Sequence, residues 1–182
     1  MMPDPVSLRT DRLWLRPWCQ ADREPFAKMC ANAAVMEFFP SIMSRAESDA
    51  SVDRIEAGFV KRGWGLWAVE VLGQSPFIGF VGLNVPSCEL PCSPCVEIGW
   101  RLMCSAWGQG FATEAARAVL SFGFETLHLP EIVSYTAEAN RRSRRVMDRL
   151  GMSHDPVENF DHPLVPEDNW LRRHVLYRKR AG

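Results

Sequence analysis

The 182-residue sequence predicts an α+β fold: a mixed, mostly antiparallel twisted sheet with helices on both faces, formed as one domain over residues 1–182. Three observations carry this. Apolar spacing changes from helical to alternating and back again along the chain. Three consecutive β-rich runs, 66–71, 77–85 and 96–102, are separated by turn-forming residues, the pattern of an antiparallel meander. Apolar residues make up 47% of the chain, enough at this length for one sizeable core without metal or disulfide support.

Each element follows from local signals. Leu13 and Leu15 alternate with Arg12, Trp14 and Arg16, which predicts a half-buried first strand ending at Pro17. Asp22 is placed to cap a helix through about Asn32. Ser44 with Glu47 three residues on forms a capping box, and Val52, Ile55, Phe59 and Val60 recur at helical spacing until Gly63 stops the helix. After the meander a glycine turn at 107–110 leads into a helix whose Ala112, Ala115, Ala116, Val119 and Leu120 form an apolar face. A strand at 132–136, a helix at 140–150 closed by Gly151 and a last strand at 175–177 complete the chain, with a further strand expected near 152–157.

Composition narrows the function. With 21 Lys and Arg against 22 Asp and Glu the net charge is −1, so no nucleic-acid partner is expected. No window reaches the roughly 18 uninterrupted apolar residues of a membrane span, and residues 1–10 lack the apolar centre of a signal peptide, which predicts a cytoplasmic protein with no membrane partner. Six cysteines then read as reduced thiols. Cys88, Cys92 and Cys95, in a loop broken by Pro86, Pro91 and Pro94, could offer three thiolates to zinc. A structural site needs four ligands, and a strand separates Cys104 from the others, so plain loop thiols and no metal are expected.

The segment 96–115 runs from a strand through a glycine turn into a helix. A helix N-terminus presents unpaired N–H groups and about half a positive charge, and Gly108 and Gly110 let an anion approach the backbone, so this is a phosphate-binding construction or, more simply, a tight turn. Other phosphate motifs are excluded. GxxxxGK[ST] is absent, and GxGxxG would need glycine where Thr113 stands.

Glu97, Ile98, Gly99 and Trp100, the run from Trp107 to Ala115, and the run from Asn140 to Met152 together resemble the GNAT superfamily of N-acetyltransferases, and within it the RimJ/RimL-like branch. The resemblance covers nearly the whole chain; Trp107 departs from the usual Arg or Gln of the superfamily's pyrophosphate loop, while Gly110 and Ala112 match it. It implies acetyl-CoA as co-substrate, a primary amine as acceptor and a GNAT-like sheet. Gly108, Gln109, Gly110, Phe111, Ala112 and Thr113 would hold the pyrophosphate through their amides, and the strand Ile98, Gly99, Trp100, Arg101, Leu102 would pair with pantetheine as an added strand. Asn140, a helix cap on its own chemistry, would also touch pantetheine, and Ser143 would protonate the leaving thiolate. Arg144, with Arg141, Arg142 and Arg145, makes a helix start basic, and the 3′-phosphate of coenzyme A is a fitting partner. A homodimer is the family's expectation.

The reaction needs a neutral amine, and an unperturbed lysine amine titrates near 10.4, so a base is required. Glu97 is the leading candidate, against its simpler reading as a solvent-facing strand residue. Glu37, Phe39 and Trp64 are expected in the acceptor pocket, whereas Phe38 and Trp67 are expected in the core. His162 and His174 fall near the substrate side without an assigned role. A non-catalytic acyl-CoA-binding domain would keep the glycine loop and lose the acid and base.

Overall fold

The computed structural model describes residues 6–182; the N-terminal stretch considered above as a signal segment lies partly outside them. The strands are β1 (Leu8–Arg9), β2 (Leu13–Arg16), β3 (Leu66–Val71), β4 (Ser75–Asn84), β5 (Glu97–Leu102), β6 (Glu131–Ala137), β7 (Ser153–His154), β8 (Phe160–Asp161) and β9 (Arg173–Arg180). Helices α1 (Arg23–Cys30) and α2 (Arg45–Arg62) lie between β2 and β3, α3 (Phe111–Ser121) follows β5, and α4 (Arg141–Arg149) follows β6. Among the described residues these strands form a sheet in the order β1-β2-β3-β4-β5-β6-β9-β7, with β8 also on β9. Every pairing is antiparallel except β5 with β6. The fold is the expected mixed α+β sheet.

Local signals act where they were read. The Ser44 hydroxyl accepts from the Glu47 amide, Glu47 reaches back to the Ser44 amide, and Gly63 ends α2 with a φ of 78°. Asp22 stands at the start of α1 without capping it; its carboxylate instead accepts from the Cys19 amide and from both Nη atoms of Arg16, each at 2.8 Å. An ion pair on the neighbouring strand outcompetes the helix end.

Strand alternation assigns the two faces. Phe80 packs on Phe26 of α1, while Trp67 and Leu83 face the opposite side, where Trp67 meets Phe122 and Leu83 lies beside the close approach of Gly123 to the sheet. Helix α3 runs directly into the π-helical turn 122–126, so α1 and α3 cover opposite faces. Helix α4 contacts α3 and β6, and its Met147 is fully buried in the same core. At Gly79, φ is 132° and a Cβ would lie 2.1 Å from the Arg101 carbonyl oxygen, so glycine is what lets β4 hold β5 this closely.

Candidate active site

The feature that organises the site is a gap in the sheet. Parallel strands β5 and β6 share one register pair, Glu97 with Val133, together with the Val133 amide donating to Val96 at 2.9 Å. Beyond it the buried Ser134 hydroxyl donates across to the Ile98 carbonyl at 2.9 Å, and the strand backbones then part. A cavity of about 860 Å³ fills the opening and reaches both faces of the sheet. The Val96 and Ile98 carbonyls both turn toward β6, so by the same alternation the N–H and C=O of Trp100 face the gap. Ile98, Gly99, Trp100, Arg101 and Leu102 all line it, and the Trp107 indole N–H caps the Leu102 carbonyl at 2.9 Å.

On the α3 side the cavity is bounded by Gly108, Gly110, Phe111, Ala112 and Thr113. Gly108 and Gly110 have φ of 75° and 82°, a backbone that side-chain-bearing residues rarely adopt, and nothing lies within 4 Å of where a Gly108 Cβ would point. The first α3 amide that pairs back within the helix is Glu114, on the Gly110 carbonyl, so the amides before it are free to receive an anion. Gln109 does not line the cavity: its side chain folds back to the Ser105 carbonyl, and its own carbonyl accepts from Arg12. Arg12 also pairs with Glu114, which fixes the loop to the start of the chain.

Helix α4 supplies the adjoining wall. Asn140 accepts from the Ser143 amide at 3.1 Å and donates to the Thr136 hydroxyl at 2.9 Å, so the cap also ties α4 to β6. Ser143 lines the cavity, and its hydroxyl has no hydrogen-bond partner among the described residues. Arg144 turns elsewhere, toward the Glu138 carbonyl and the Tyr177 hydroxyl, because its position on the helix points away from the gap. Arg142, Arg145 and Arg149 are the arginines of α4 that line the cavity.

The α1 side holds the titratable groups. Tyr135 lies two residues beyond Val133, the register partner of Glu97, and its phenol interacts with the Glu97 carboxyl. Burial pushes the Glu97 carboxyl up, against the opposing hydrogen bonding of Tyr135 and Asn84; the Asn84 amide donates to Oε1 at 3.4 Å, and Oε2 is buried without a partner. Burial and then the Glu97 charge push the Tyr135 phenol up as well. Glu97 is therefore not the solvent-facing residue that its type suggests. His162 and His174 lie with ring centroids 4.9 Å apart and also line the cavity. Burial lowers the pKa of both, keeping them neutral near pH 7. The His162 Nδ1 accepts from the Leu164 amide, and the His174 Nδ1 meets the Arg172 carbonyl, which can only accept, so Nδ1 carries the His174 proton.

Of the expected acceptor residues, Phe39 lines the cavity; Phe38, expected in the core, is instead half-buried on the cavity wall, where it packs edge-on to Trp170. Trp67 is fully buried as expected. Glu37 is not a free carboxylate: it accepts from Arg142 at 2.6 Å, an exposed ion pair that ties the loop after α1 to the start of α4. Trp64 stays outside the cavity under the Arg62 guanidinium, because it precedes β3 and turns toward the end of α2. Cys92 and Cys95 have sulfurs 3.2 Å apart, and among the described residues no group of side chains is arranged to hold a metal. No helix of the described residues is long and apolar enough to cross a membrane.

Comparison with known proteins agrees with this geometry. The family profile described as acetyltransferase (GNAT) domain matches residues 12–153. The chain is 30% identical over 167 residues to the uncharacterized protein YkkB of Bacillus subtilis (strain 168), covering 88% of this chain and 93% of that protein. It is 38% identical over 161 residues to the FsC-acetyl coenzyme A-N(2)-transacetylase of Aspergillus fumigatus, covering 85% of this chain and 67% of that enzyme. Among solved structures, an acetyltransferase from Agrobacterium tumefaciens superposes with a TM-score of 0.77 at 29% identity, over 97% of this chain and 95% of that one. The fold is also that of RimL, a ribosomal L7/L12 α-N-protein acetyltransferase solved with coenzyme A, at a TM-score of 0.76, 16% identity and coverage of 97% and 98%.

Proposed function

The chain belongs to the acetyltransferase (GNAT) family, and from that premise we propose that it transfers acetyl from acetyl-CoA to a primary amine by direct attack across the β5/β6 gap. Acetyl-CoA is the co-substrate of this acyltransferase, and it brings an activated acyl group as a thioester. The observation that carries the reading is the gap itself: it joins an anion cradle and Ser143 on one face to Glu97 and Tyr135 on the other.

Each side chain then has a task. The free amides of 111–113 with the backbone of Gly108 and Gly110 hold the pyrophosphate, and Arg145 and Arg149 add positive charge beside it. The open edge of β5 pairs with the amide-bearing arm, and the Trp100 amide is set to polarise the acyl oxygen without reorganisation. Glu97, buried and short of one partner, takes the ammonium proton, directly or through water. Ser143 donates to the departing sulfur. An aromatic wall of Phe38 and Phe39 bounds the acceptor. Nitrogen as the accepting atom is supported by the relative named as an N(2)-transacetylase. The RimJ/RimL-like placement is supported by Asn140 with Ser143 and by Trp107 in the loop.

Release of coenzyme A thiol from acetyl-CoA by a panel of primary amines tests the activity. Gly110→Val tests the cradle: a β-branched side chain at φ 82° is strained by about 1–3 kcal/mol, which the loop relieves by turning its amides away. Calorimetric titration should show acetyl-CoA bound about tenfold more weakly, at 1.4 kcal/mol per factor of ten, with the protein still folded. Unchanged affinity would remove the loop from the cofactor site.

A further inference from the structure

Arg101 stands four residues beyond Glu97 on the same face of β5, and its side chain lines the α1 side of the cavity. The guanidinium lies 4.0 Å from the Phe39 ring and 5.5 Å from that of Phe80. Its one side-chain hydrogen bond among the described residues runs from Nη1 to the Cys30 sulfur at 3.3 Å, and Nε is buried with no partner. Cys30 is no counter-ion, because burial pushes its thiol up and keeps it protonated.

Three other enclosed arginines are matched by acids. Arg16 pairs with Asp22 and Glu70, Arg23 with Asp53 and Glu56, and Arg178 with Glu131 and Glu158. No carboxylate of the described residues lies within ion-pair distance of Arg101. Guanidinium stays charged in any protein environment, and a buried charge without a counter-ion is costly. Flanking rings soften that cost and fix the guanidinium, but they offer no negative charge. Among the described residues Glu97 is the single carboxylate lining the cavity, and alternation along the strand sets it about 13 Å from Arg101 between Cα atoms, at roughly 3.3 Å per residue.

We propose that the acceptor amine itself carries a carboxylate, which docks on Arg101 while its amino group meets Glu97, so that the substrate class is amino acids or amino-acid-like acids. This rests on the reading of the gap as an amine acetylation site. A planar carboxylate matches the guanidinium fork and supplies the missing counter-charge. Arg142, Arg145 and Arg149 line the cavity from α4, and Arg142 is already paired with Glu37, which leaves Arg101 as the enclosed cation on the face of β5 that carries Glu97.

Matched pairs test this: α-, β- and γ-amino acids and their C-terminal amides, each assayed with acetyl-CoA and the wild-type protein, then with Arg101→Gln and Arg101→Lys. The expected result is a preference of at least tenfold for an acid over its amide in kcat/KM, expressed mainly in KM. Arg101→Gln should collapse that ratio toward unity, and Arg101→Lys should restore part of it. Equal use of acid and amide by the wild type, or a ratio that survives Arg101→Gln, overturns the proposal and leaves amine acetylation standing. Acetylation of neither member of any pair overturns both. Should Arg101→Gln fail to fold, the wild-type ratio and Arg101→Lys still decide.

Discussion

Glu97→Gln is expected to lower kcat/KM by about a hundredfold at neutral pH, within the range of roughly 10²–10⁴ for a positioned general base. The glutamine keeps the size and the Asn84 contact but accepts no proton. Because burial raises the Glu97 pKa, the wild-type rate should climb as pH rises through that raised value, and the variant should lose this acid-side limb. Stability separates a base from a structural residue. Below the ordinary carboxylate pKa both folded and unfolded chains are protonated at this position and the two proteins should melt alike. As pH rises from there through the raised folded value, the native chain holds a proton that the unfolded one has released, so ionisation costs the wild type stability. Glu97→Gln should therefore gain in melting temperature across that same window while losing activity. A variant with wild-type pH dependence of rate would exclude Glu97 as the base.

Ser143→Ala should reduce kcat by roughly tenfold to a hundredfold and leave acetyl-CoA affinity and melting temperature near wild type. The hydroxyl has no partner within the described residues, so its removal breaks no internal hydrogen bond. The Asn140 cap uses the Ser143 amide, not its side chain, and survives the change. A serine is a weak acid, and its value lies in donating as charge develops on sulfur. Acyl donors with more acidic thiols need less help, and with them the deficit should shrink. A loss confined to cofactor affinity, measured by calorimetry, would make Ser143 a binding residue.

The parts of this molecule governed by neighbours in sequence were legible, and those governed by register were not. The Ser44 and Glu47 box, the Gly63 stop and the run 66–71 emerge as read, because capping and alternation are local. Strands β1 and β8 are two residues each, too short for any period. Alternation predicts a last strand at 175–177, whereas the strand spans Arg173–Arg180, since Arg178 and Arg180 are held by Glu131 across the sheet and mask the alternation. At the candidate site, the glycine turn is legible from spacing alone, whereas Glu97 and Ser143 are named through the family resemblance. Tyr135 is legible from neither: only the parallel pairing of Glu97 with Val133 brings it beside the carboxylate. The sequence implicates Arg101 through its backbone alone, because nothing in a sequence shows that a guanidinium will be enclosed without an acid. Arg144 and Trp64 went the other way, chosen for residue type and turned aside by helix phase and by the end of α2.

The opening between β5 and β6 has two doors, one beside α3 and α4 and one beside α1. On the proposed reading, the donor stays seated in its own doorway while the acceptor comes and goes through the other. Neither molecule has to wait for the other to vacate a shared entrance, and no acyl group has to be parked on the protein between visits. Traffic on that reading is two-way from the start, a property written into the sheet where β5 and β6 part.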